Sequence, residues 1–138
     1  MKSESSTYDR LAQFLTGIED PSCILLREDF GACGPPSEVD AALERFVSEE
    51  KLARLRDDAY GLTRISRYTG GLALRGIMED LAGQYAIRRG AELRLTEAQA
   101  DYASGRSKQI PNGYWVGVDR PIPGGLNFRK RAVRYVCV

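Results

Sequence analysis

The amino-acid sequence predicts an α+β chain in two parts, and three observations lead there. Apolar residues recur at helical spacing over 7–17 and 37–50. Two alternating runs flank a short polar turn between 52 and 65. From Ile110 onward the chain is β-rich and punctuated by proline and glycine.

Ser6 or Thr7 is placed to cap a first helix that runs to about Gly17. Tyr8, Leu11, Leu15 and Ile18 share one of its faces, with Phe14 beside them, so the helix needs a packing partner. Asp20-Pro21 closes the connection. Cys23–Arg27 is a short apolar run between turn signals and reads as a strand, and Glu28–Gly31 as a single helical turn. Gly34-Pro35-Pro36 reads as a loop. Pro36 or Ser37 then starts a third helix, whose stripe is Val39, Ala42, Leu43, Phe46 and Val47. Leu52–Arg56 and Tyr60–Ile65 alternate around Asp57-Asp58, the pattern of a β-hairpin. Helix, strand, short helix, helix, hairpin is the order of a winged helix-turn-helix, and each element has one apolar face that only mutual packing can bury. Residues 1–69 are read as that domain, with residues 1–6 frayed.

Gly70-Gly71 breaks the chain. A long helix is expected over 72–89, with Leu74, Ile77, Met78, Leu81, Tyr85 and Ile87 as its apolar residues and Gly90 as its C-cap. Thr96 or Leu95 opens a short helix to Tyr102. Tyr114–Val118, Leu126–Arg129 and Ala132–Val138 read as strands, with Lys130-Arg131 turning between the last two. Residues 70–138 are therefore read as a small α+β domain ending in antiparallel strands.

Composition narrows the function. The 138 residues include no histidine, which excludes a Ser-His-Asp triad, a Cys-His pair and an imidazole-ligated metal. Cys23, Cys33 and Cys137 are odd in number and widely spaced, which fits a reducing cytoplasm. No stretch approaches the length of a membrane span, and neither a secretory leader nor a cofactor is expected. The carboxylate pairs Glu49-Glu50 and Asp57-Asp58 are adjacent residues that point apart. Gly70-Gly71 and Gly124-Gly125 match no phosphate-binding spacing. An enzyme is not expected.

Charge supplies the positive signal. The net charge of +1 hides an acidic start and a basic end. Residues 1–50 hold four basic against eleven acidic residues, a net of −7, and residues 88–138 hold ten against four, a net of +6. Such asymmetry suggests a polyanion-facing surface at the C-terminal end, or an electrostatic self-contact between the halves. Arg54 and Arg56 should project from one face of the hairpin, with Arg64 and Arg67 on or after the return strand, within reach of phosphates or a minor groove. Ser37 can donate to a phosphate at the helix start. Arg27 ends the first strand, placed to contact a backbone phosphate or to pair with Glu28 or Asp29; Arg45 lies on the third helix, where Glu49 is one turn on, and Lys51 follows it. Arg106, Lys108, Arg129, Lys130, Arg131 and Arg134 form the basic C-terminal set, with Tyr114 and Trp115 nearby in sequence as stacking candidates.

Several of these stretches together resemble a known group. They are Ile24–Phe30, Val39–Val47, Lys51–Leu55, Ala59-Tyr60-Gly61, then Ser104–Pro111, Asp119-Arg120-Pro121 and Phe128–Arg134. In this order the chain, from residue 23 to its end, resembles the AbiEi-like antitoxins and transcriptional regulators. The resemblance implies a winged-helix, DNA-binding, non-catalytic regulator of the type IV antitoxin kind, which represses its own operon. It implies as partners double-stranded DNA and a cognate toxin, which in the better-known systems is a nucleotidyltransferase. A homodimer would suit paired half-sites. Residues 37–51 carry five acidic and two basic residues, a net of −3. That charge motivates a second expectation: a protein-interaction adaptor or inhibitor on the same scaffold, neutralising a toxin or blocking a defence enzyme.

Overall fold

The computed structural model describes residues 6–109 and 115–138. Residues 1–5, and with them the expected frayed start, lie outside the described residues, as do Ile110, Pro111 and Tyr114. The chain divides into two units, Met1–Gly76 and Ile77–Val138.

In the first unit α1 (Thr7–Thr16) is capped by Ser6, whose hydroxyl accepts from the Asp9 amide, and ends at Gly17. The expected strand 23–27 shortens to β1 (Leu25–Leu26), because Arg27 already opens a 3-10 helix, Arg27–Cys33. α2 (Pro36–Ser48) begins with proline at its first turn, where the missing amide costs nothing. β2 (Leu52–Arg56) and β3 (Ala59–Ile65) form the expected hairpin. The expected helix over 72–89 is corrected: residues 72–74 are a strand, β4, antiparallel to β3 with Ile65 opposite Leu72, and the helix starts only at Met78. Three apolar residues satisfy either period, and the open edge of β3 decided between them.

β3 is the central strand. β1 and β2 flank its first half, and β4 pairs with its second. Leu11, Phe30, Val39, Leu43, Phe46, Leu52 and Tyr60 form the core between the helices and this sheet.

One close approach locks the helices. Gly34, between the 3-10 helix and α2, leaves no room for a Cβ against the side chain of Thr7. Thr7 is itself buried and donates to Glu38 Oε1 at 2.7 Å. Gly34→Ala is expected to destabilise the first unit by about 1–3 kcal/mol, the usual cost of overpacking, as a lowered urea midpoint with an unchanged slope.

In the second unit α3 (Met78–Arg88) is followed by Gly90 in the left-handed region. β5 (Leu93–Arg94) is a strand the sequence pattern did not disclose. α4 (Glu97–Ala103) has a reciprocal cap between Thr96 and Gln99. β6 (Trp115–Val118), β7 (Gly125–Phe128) and β8 (Arg131–Cys137) complete a sheet ordered β5-β6-β8-β7. β7 and β8 are antiparallel as expected, but β6 and β8 run parallel. Phe128 pairs with Arg131, so the turn is Arg129-Lys130 rather than Lys130-Arg131. Arg129 takes the left-handed conformation there, with φ 56°. Leu81, Ala82, Tyr85, Val118, Leu126 and Val133 are buried within this unit.

Candidate nucleic-acid interface

α2 brings together most of the first-unit candidates, and it does so through its carboxylates. Its core stripe faces the sheet, leaving Ser37, Asp40, Ala41, Glu44 and Arg45 exposed. Ser37 is the second residue of α2, one past Pro36, and the N-cap position is Pro35. Its hydroxyl is exposed rather than used to start the helix.

Arg27, at the head of the 3-10 helix, donates from Nε to Asp40 Oδ1 at 2.7 Å and from a terminal nitrogen to the Pro36 carbonyl at 3.0 Å. The hydrogen bond from Arg27 holds the Asp40 carboxyl below its ordinary pKa. Arg54 reaches from β2 to Glu44 Oε1 at 2.7 Å and to the Tyr60 hydroxyl at 3.2 Å. Arg45 pairs with Glu49 at 3.0 Å, one turn on, and its guanidinium lies 4.0 Å above the Tyr8 ring. Lys51 sits 3.5 Å from the same Glu49 and donates to the Tyr8 hydroxyl at 3.2 Å. Tyr8 in turn donates to Glu49 at 2.6 Å, and this bond, with Arg45, keeps Glu49 below its ordinary pKa.

The expectation that Arg54 and Arg56 project together is corrected. The β2–β3 register shifts between them, and Arg56 opposes Ala59 in place of continuing the alternation. The Arg56 side chain is only 18% exposed, with Nε 3.3 Å from Asp58 and 3.9 Å from Asp57. It braces the hairpin turn. Arg64 and Arg67 differ from all of these. Both are exposed, and neither has a carboxylate partner among the described residues. Arg64 also lines an open cleft of about 530 Å³ with Leu15, Ile18, Leu62 and Arg75.

In the second unit Arg106 pairs with Asp101 at 3.0 Å and Arg131 with Glu79 at 3.0 Å. Lys108, Arg129 and Lys130 are exposed, the latter two at the β7–β8 turn, without a carboxylate partner among the described residues. Arg134, opposite Trp115 in the sheet, reaches Asn127 at 3.4 Å. Trp115 is about half exposed.

Among the described residues no three Cys, Asp or Glu side chains are grouped to hold a metal ion, and no helix is long and apolar enough to cross a membrane. None of the three cysteines is in a disulfide; burial raises the Cys33 pKa. Sequence reasoning anticipated the Arg45–Glu49 pair; its expectation of Glu28 or Asp29 beside Arg27 is corrected to Asp40, and it missed Glu44 for Arg54 and Tyr8 beside Arg45 and Lys51. No local spacing marks those partners. Compared with protein-family models, curated proteins and solved structures, the chain matches none.

Proposed function

We propose that this chain is a DNA-binding transcriptional regulator of the antitoxin type, its first unit a winged helix-turn-helix and its action binding rather than catalysis. One observation carries the reading: α1, β1, the 3-10 helix, α2 and the β2–β3 hairpin follow one another with strand order β1-β3-β2. That is the connectivity of a winged helix, with α2 in the place of the helix that enters a major groove.

The ion pairs on α2 do not remove its cations from use. Their side chains are 31–65% exposed for Arg27, Asp40, Arg54 and Glu44. Exposed pairs of this kind contribute about 0–1 kcal/mol, so a phosphate can replace the carboxylate at small cost. Ser37 adds an exposed donor, and the β7–β8 turn adds Arg129 and Lys130 in the second unit. We place the protein in the cytoplasm, where its three cysteines stay reduced, acting on its own operon, as a homodimer where the operator is palindromic.

Duplex DNA from immediately upstream of its own gene should be retarded at low salt, with affinity falling by a slope of about 0.9 per phosphate contacted as salt rises. No retardation at low salt overturns the reading. A second reading has its own observation: Asp40 and Glu44, the outward carboxylates of α2, neutralise the nearest arginines. That face suits a protein partner, such as a toxin to be neutralised. Recovery of a stoichiometric complex with the product of the adjacent gene, without DNA retardation, would favour it.

A further inference from the structure

Resting on the DNA-binding reading, we propose that the β3–β4 hairpin is a phosphate-contacting arm of the first unit, with Arg64, Arg67 and Tyr68 as its contacts. From Ala59 to Met78 the chain holds three arginines and no carboxylate. This is the opposite of the α2 face, where Arg27, Arg45 and Arg54 each meet an acid. Arg64 and Arg67 lie exposed on either side of Ser66, unengaged by carboxylates among the described residues.

The turn that carries Arg67 and follows Arg64 is built rather than slack. The Ser66 amide donates to the Gly71 carbonyl at 2.8 Å and the Gly70 amide to the Ser66 carbonyl at 2.9 Å. Ser66 Oγ accepts from the amides of Tyr68 and Thr69, and Gly70 takes the left-handed conformation that closes the turn. Arg75 ties the base, donating from its amide to the Leu62 carbonyl and from Nε to the Thr63 carbonyl, each at 2.9 Å.

Tyr68 stands on this turn 97% exposed. Its turn neighbours Ser66, Thr69, Gly70 and Gly71 are polar or glycine, with Ile65 exposed at the base of the turn. The Tyr68 hydroxyl and the Arg67 guanidinium on this turn, with Arg64 on β3 just before it, match phosphate oxygens, which accept from Arg and Tyr alike. Bracing means little ordering entropy is lost on binding. β3 is seven residues long, so this tip lies roughly 20 Å along the strand from the Asp57-Asp58 turn, and the arm grips backbone beyond the α2 contact.

The test measures anisotropy of a random-sequence duplex against salt concentration. The double variant R64A/R67A should lower the salt slope by about two and weaken all sequences alike. R64K/R67K, which keeps both charges, should restore the slope. If the wild type binds and R64A/R67A retains the full slope, the arm is wrong and the DNA reading stands. If R64A/R67A loses slope but R64K/R67K fails to recover it, the loss is not one of phosphate charge and the arm is again wrong. A wild type that binds no duplex removes both.

Discussion

A chain carrying D40N and E44Q together is expected to bind duplex DNA roughly ten- to a hundredfold more tightly than wild type at low salt, with a salt slope steeper by about two. Two changes act together. Two negative charges leave the face that would approach phosphates, and Arg27 and Arg54 lose the carboxylates that hold them at 2.7 Å. Each freed guanidinium can release one further counterion. Stability should change little, because exposed pairs contribute little. The measurement is anisotropy of a labelled duplex over a salt series, alongside a thermal melt. If α2 instead docks a protein, the same variant gains no DNA affinity and loses its partner. The double substitution therefore separates the two readings in one preparation.

The pH dependence of wild-type binding follows from the same pair. Arg27 donates to Asp40 and lowers its pKa, so Asp40 is still ionised where an ordinary aspartate begins to protonate. A lowered carboxyl contributes its pairing above its unfolded value, near 4, and loses it only as pH falls through the lower folded value. The repulsion from Asp40 should therefore persist unchanged from neutral pH down to about 5. A gain in affinity already at pH 6 in wild type, absent in D40N, would contradict that assignment.

Much of the first unit was legible because its signals are local. Val39, Leu43 and Phe46 share one helical face, and all are buried. Ala53 and Leu55 are buried on β2 as its alternation suggested, but Leu52 is buried too, and the register shift after Arg54 leaves Arg56 mostly covered. What escaped is what depends on partners far along the chain. β4 is three residues long and becomes a strand by lying against Thr63–Ile65. β5 is two residues opposite Gly117 and Val118. In the site, the i,i+4 pair Arg45–Glu49 was readable from spacing. Arg27–Asp40 and Arg54–Glu44 span 13 and 10 positions and exist only once helix and sheet have packed. Composition announced the charge asymmetry but not which cations the fold would pair with carboxylates, as it does Arg56 with Asp58, or leave without one, as it does Arg67 among the described residues.

The largest stability effect is expected from Phe46→Ala, at about 3–5 kcal/mol. Phe46 is 2% exposed and lies parallel to Tyr8, ring centroids 4.4 Å apart and planes within 2°. Its loss opens a cavity at the junction of α1, α2 and β2. It also unseats Tyr8, whose hydroxyl bonds Glu49 and whose other ring face carries Arg45. A small domain holds only about 5–15 kcal/mol in all, so this one truncation takes a large fraction of it. Tyr8→Phe isolates the polar part. It keeps the stack and removes only the bonds through the hydroxyl, at a cost of about 1 kcal/mol. Amide exchange at Leu43, Leu52 and Tyr60 reads both, since these buried residues belong to the same core. Equal losses in the two variants would mean that the hydroxyl network, rather than the aromatic packing, holds α1 against α2.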